Sequence, residues 1–156
     1  MLSVLRRARK SLGHAVVVFC AGLVAACVPT TGPSPSRGNG GAVQVALLIP
    51  SGSGQTQDEV FGTSLENAAR LAMADLSGVT IDLRVYRTAG NPAQAGTLAR
   101  QAVDEGAQVI LGPFYSEEAN AAGAAVANSG VNVLAFSNNT AIAGGNVFVL
   151  GQTFDN

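Results

Sequence analysis

Val43-Gln44-Val45-Ala46-Leu47-Leu48-Ile49-Pro50 is a near-continuous apolar run closed by a proline. A run of this length and composition is the signature of a strand buried on both faces, as in the middle of a parallel sheet. Ser51-Gly52-Ser53-Gly54 then breaks the run as a turn. Beyond it, Phe61, Leu65, Ala68, Ala72 and Leu76 recur at helical spacing. They predict a helix from about Asp58 to Leu76 with these residues facing inward and Gly78 placed to end it.

The same alternation continues outward. Thr80 to Tyr86 alternates polar and apolar residues, as a half-exposed or edge strand does. Asn91-Pro92 offers an N-cap and a proline at the first helical position. That helix should run to about Glu105, with Ala95, Leu98, Ala102 and Val103 inward and Gly106 as its stop. Val109-Ile110-Leu111 is a short buried strand ending at Gly112-Pro113. Ser116 is placed to cap an Ala-rich helix reaching about Asn128, and Glu117 and Glu118 complement its dipole. Val131 to Ala135 and Val147 to Leu150 read as a fourth and a fifth strand.

Strands alternating with helices in this way imply βαβ units. Right-handed crossovers then give an α/β fold with a doubly wound parallel sheet. On such sheets ligands bind beyond the carboxyl ends of the strands. The loops Pro50–Gln55, Gly112–Ser116 and Phe136–Thr140 are therefore the places to look.

The N-terminus has a different character. Arg6, Arg7, Arg9 and Lys10 precede an uncharged apolar stretch from Ala15 to Ala25. This order is that of a secretory signal, and the stretch is shorter than the roughly 20 residues of a membrane-spanning helix. Leu23-Val24-Ala25-Ala26-Cys27 resembles a bacterial lipobox, so residues 1–26 read as a signal peptide and Cys27 as the lipidated residue. Cys20 follows bulky Phe19 and does not fit. Two or more acyl chains anchor a protein stably to a membrane. Val28 follows the cysteine in place of an aspartate that would retain the protein at the inner membrane, so outer-membrane delivery is permitted. Residues 27–42 are rich in Pro, Thr, Ser, Gly and Asn and read as a flexible tether.

Of the nine basic residues in the 156, four lie in the first ten positions, which leaves five against ten acids. An acidic remainder argues against a nucleic-acid partner. The single His, both Cys and the single Lys all lie before residue 28. Once the leader is removed, imidazole, lysine amine and internal thiol chemistry are gone, and with them most nucleophilic, Schiff-base and zinc enzymes. That composition argues against an enzyme. The Ser51–Gly54 loop lacks the third glycine of a dinucleotide fingerprint, and Tyr86-Arg87 stands where that fingerprint has an acid. No cofactor is expected.

Taken together, Ala46–Gly52, Ser64–Ala72, Asn91-Pro92-Ala93-Gln94-Ala95, Val109–Pro113 with Ser116, Gly130–Leu134 and Val147–Gly151 resemble the type I periplasmic solute-binding proteins of the leucine/isoleucine/valine class. The likeness also extends to lipoproteins of the same fold known as activators of penicillin-binding proteins. Val133-Leu134-Ala135-Phe136-Ser137-Asn138-Asn139 looks more like that variant. The resemblance implies a two-lobed clamshell, of which residues 43–156 would be a partial N-terminal lobe, so that the chain reads as a fragment.

It further implies a periplasmic, membrane-anchored receptor for amino-acid-like ligands serving an ABC permease. The alternative is an activator that touches a penicillin-binding protein. By the same resemblance, Ser116 on the loop after the third strand, and Asn138 and Asn139 on the loop after the fourth, are ligand-binding candidates, with Tyr115 beside them. Each also has a plainer reading. Ser116 can simply cap its helix, Tyr115 can pack at a lip, and the asparagines can shape a turn. The acid pairs Asp104–Glu105 and Glu117–Glu118 read as solvated helix faces.

Overall fold

The computed structural model describes residues 41–152. The stretch read as a signal peptide, Cys27 and most of the stretch read as a tether lie outside the described residues. Five strands form one sheet: β1 (Val43–Ile49), β2 (Ile81–Arg87), β3 (Val109–Leu111), β4 (Asn132–Ala135) and β5 (Val147–Val149). Their order is β2-β1-β3-β4-β5, and every pairing is parallel. Three helices connect them: α1 (Thr56–Ala74), α2 (Pro92–Asp104) and α3 (Ser116–Ala125). A 3-10 turn at Thr140–Ile142 leads into β5. The expected doubly wound α/β fold is therefore what forms, with the chain reversing direction across the sheet between β1 and β3.

The two faces of the sheet differ. Ala46, Ile110, Val133 and Val147 stand in register on one face. They are covered by Ala99 and Ala102 of α2 and by Ala119 and Ala122 of α3, all without exposure. Small residues let these helices come close: a Cβ on Gly96 would lie 3.3 Å from the Ala121 carbonyl oxygen. Leu47, Leu111, Leu134 and Phe148 occupy the other face in register. Leu47 is fully buried there, whereas Phe148 at the far edge is 48% exposed.

Local signals explain the helix starts. Asn91 caps α2, its side chain accepting a hydrogen bond from the Gln94 N–H at 3.0 Å, with Pro92 in the first turn. Replacing Asn91 with alanine should cost about 1 kcal/mol, read as a lower denaturation midpoint with an unchanged slope.

Several expectations need correction. α1 does not bury Phe61, Leu65, Ala68, Ala72 and Leu76. Asp58 and Gly62 are its buried residues, Phe61 and Leu65 are half-buried, Ala68 and Ala72 are exposed, and Leu76 lies past the helix end. The helix meets the sheet near its first turns, where Gly62 lies against Ser51 and Ile49. Spacing alone assumed that the whole length of the helix was covered. α2 buries Gly96 and Ala99 where Leu98 and Val103 were expected, and these two are half-buried. α3 stops at Ala125, short of Asn128. Its N-cap is Tyr115, and no side chain caps it, so Ser116 does not do so. Glu118 is not on a solvated face; it is fully buried.

Candidate functional site

The loops that follow β1, β2 and β3 converge at the carboxyl edge of the sheet. Thr88, just after β2, locks onto β1: its N–H and its hydroxyl both donate to the Ile49 carbonyl, at 2.8 and 2.9 Å. Ala89 donates to the Ser51 carbonyl at 3.1 Å and holds a left-handed backbone, φ 55°. A non-glycine residue in that region is uncommon and marks a backbone held by its surroundings. After β3, Gly112 donates to the Leu134 carbonyl at 2.9 Å and passes directly over the Leu48 carbonyl. Phe136 in turn donates to the Pro113 carbonyl at 3.0 Å, tying the loop after β4 to the loop after β3.

These loops gather a compact polar cluster. Asp58, in the first turn of α1, is 3% exposed. It accepts hydrogen bonds from the Ser53 hydroxyl at 2.6 Å and from the Tyr115 hydroxyl. Those two donors hold its carboxyl below the usual aspartate range against the opposing effect of burial. The bond to Asp58, aided by burial and by the charges of Asp58 and Glu118, pushes the Tyr115 phenol up to about 12. Gly90 closes one side; a Cβ there would come 3.5 Å from an Asp58 oxygen and 3.8 Å from the Tyr115 ring. Phe61, Phe114 and Tyr115 form an aromatic run beside it, with successive ring centroids 4.7 and 5.2 Å apart.

Glu118, in the first turn of α3, has no solvent exposure, and neither carboxylate oxygen has a hydrogen-bond partner among the described residues. The Thr88 hydroxyl and the Tyr115 N–H face it and favour its ionised form, but the Thr88 hydrogen is committed to Ile49 and neither contact is a well-formed hydrogen bond. Burial dominates and raises its pKa, and the negative charge of Asp58 adds to the rise. A carboxylate buried without donors is costly, whereas its protonated form is much less so.

Glu118→Gln tests this directly. The unfolded chain releases this proton at the ordinary glutamate pKa, while the folded chain keeps it to higher pH. Wild-type stability must therefore fall as pH rises through that window. The glutamine variant should lack the fall. Its advantage should be absent near pH 4 and grow with pH to a plateau on the order of 1–3 kcal/mol, measured by urea unfolding across the pH series.

The four ligand candidates read from sequence do not form one cluster. Tyr115 is in it and is 36% exposed. Ser116 is half-buried beside it at the start of α3. Asn138 and Asn139 are exposed. Asn139 shapes its own loop, accepting from the Ala141 N–H at 3.0 Å, and no hydrogen bond among the described residues joins either asparagine to Tyr115 or Ser116. Sequence reasoning missed Asp58, Glu118, Ser53 and Thr88. The available signal was positional: each acid falls in the first turn of a helix that follows a β1 or β3 loop. Among the described residues, no three His, Cys, Asp or Glu side chains converge on a point that could hold a metal ion.

The model of the periplasmic binding protein family matches residues 42–156. The chain belongs to the periplasmic binding protein family. No curated protein matches it closely enough to count as a relative. The fold is similar to that of a periplasmic binding protein from Burkholderia mallei, at 17% identity and a TM-score of 0.58, over 68% of this chain and 30% of that one. It is also similar to an ABC transporter substrate-binding protein from Sphaerobacter thermophilus, at 21% identity and a TM-score of 0.55, over 70% of this chain and 32% of that one. The chain thus spans about a third of the length of these solved periplasmic binding proteins.

Proposed function

We propose that the chain supplies the first ligand-binding lobe of a lipid-anchored periplasmic receptor for small, amino-acid-like solutes, handing its ligand to an ABC permease. The observation that carries this reading is the convergence of three loops at the carboxyl edge where the strand order reverses, the place where open α/β sheets take ligands. Tyr115 would offer a ring and a hydroxyl there. Ser116, with the first-turn N–H groups of α3, would offer donors. Asn138 and Asn139 would enter from the neighbouring loop. A second lobe would close over the crevice, and contacts made only in the closed state would shift the population toward it. Cys27, preceded by the lipobox-like Leu23–Ala26, would hold the assembly to the membrane through its acyl chains.

Calorimetry of the intact protein against a panel of amino acids tests the receptor. Binding at about the micromolar level, roughly −8 kcal/mol, is the expected result. Silence across the panel, together with capture of a peptidoglycan synthase, would replace it with the alternative, an activator of a penicillin-binding protein. Palmitate labelling should disappear in Cys27→Ser, and labelling that survives would remove the anchor.

A further inference from the structure

The acidic cluster at the carboxyl edge has a chemistry the solute-receptor reading leaves unspecified. Asp58 and Glu118 come from different helices, and the negative charge of Asp58 reaches Glu118. Asp58 is closed off by the hydroxyls of Ser53 and Tyr115, and Glu118 lies fully buried with both oxygens unpartnered. Among the described residues no Lys or Arg makes an ion pair with either acid; the ion pairs there are those of Arg70 with Glu66 and of Arg84 with Asp82 and Glu105. The Thr88 hydroxyl and the Tyr115 N–H face Glu118 without completing a well-formed hydrogen bond, and a buried acceptor without one is destabilising. What is missing is a positive charge carrying N–H groups.

We propose that Asp58 and Glu118 form a subsite for a cationic N–H group of the ligand, an ammonium or a guanidinium. This rests on the reading of the crevice as a solute site and names the group that enters it. The Tyr115 hydroxyl marks the place: it donates to Asp58 where a ligand N–H would donate, and Tyr115 is the most exposed residue of the cluster. On binding, the phenol moves off Asp58 and its ring lies against the cation, an arrangement that aromatic faces favour. The incoming charge offsets that of Asp58 and stabilises ionised Glu118, which gives its proton to solvent. The groups facing Glu118 are Asp58 from α1, Thr88 just after β2 and Tyr115 at the N-cap of α3, and none of these supplies a positive charge. A free carboxylate is repelled from the same place.

Ethylammonium chloride titrated into the intact protein, followed by amide chemical shifts at Ser53 and Gly90, tests the subsite. Guanidinium chloride, tetramethylammonium chloride and sodium acetate at matched ionic strength are the other arms. Ethylammonium or guanidinium should shift both amides, whichever of the two cations is preferred, and acetate should not. Tetramethylammonium, a cation without N–H, should bind at least tenfold more weakly. Asp58→Asn should weaken ethylammonium binding by about tenfold or more, the range of a lost charge-assisted hydrogen bond. Affinity should rise with pH in the wild type while Glu118 titrates, and should not in Glu118→Gln. Equal shifts from tetramethylammonium, shifts from acetate alone, or undiminished binding in Asp58→Asn would overturn the subsite while leaving the receptor standing if amino acids bind. Silence from every probe and every amino acid would overturn both. The wild-type selectivity needs no variant, so a poorly folding Asp58→Asn would not shield the proposal.

Discussion

Gly112→Ala should lower stability by about 3 kcal/mol or more and disturb the candidate site together with the fold. The residue sits directly after β3, with φ +81°. A side chain there meets two penalties. The left-handed backbone costs a non-glycine residue about 1–2 kcal/mol. The added Cβ would also collide with the Leu48 carbonyl of β1, an atom that cannot swing aside because it belongs to the sheet. The Phe136 ring waits 3.6 Å away on another side. Relief would require β3 to draw back from β1, carrying Pro113, Phe114 and Tyr115 with it. The check is a urea denaturation curve beside ring-proton shifts of Tyr115. Gly54→Ala serves as the control, since it has a similar φ of +79° and open space around it. The control should lose only the conformational part, about 1–2 kcal/mol.

Leu48→Ala should cost about 2–5 kcal/mol. Leu48 is a central-strand side chain with no exposure, in the core that α2 and α3 cover. The residues around it are largely alanines and short β-branched side chains, which have few alternative rotamers with which to refill a cavity. The loss should therefore fall toward the upper part of that range. Leu71→Ala, at a position 70% exposed on α1, should change stability by no more than about 0.5 kcal/mol. Paired thermal melts of the two variants measure the contrast; near-equal losses would mean that the Leu71 face of α1 is covered.

The sequence carried the fold where local chemistry and burial agree. The run Val43–Ile49 is apolar at six of seven positions because both sheet faces bury it at its carboxyl end, so composition alone marks it as a central strand. Asn91-Pro92 caps α2 through an interaction spanning three residues, which spacing can reveal. α1 was misread because its apolar spacing is helical, yet only its beginning lies on the sheet. Glu118 was misread for a different reason. In a linear reading, two adjacent glutamates at a helix start suit the dipole and solvent equally well. Glu117 does remain exposed, while Glu118 turns into the space between Thr88, Asp58 and Tyr115. That space exists only once β1, β2 and β3 lie side by side. Ser116 shows the reverse error: its residue type suits a cap, but the helix boundary falls one residue earlier.

The alanine and glycine seam between α2 and α3 has a mechanical side. Where Gly96 rides almost on the Ala121 backbone, there are no long side chains to slide or re-sort under load. Such a joint transmits displacement instead of absorbing it. If a solute binds at the crevice as proposed above, this slab should travel as one piece, and a second lobe would have to take up the bending in the chain that joins the two.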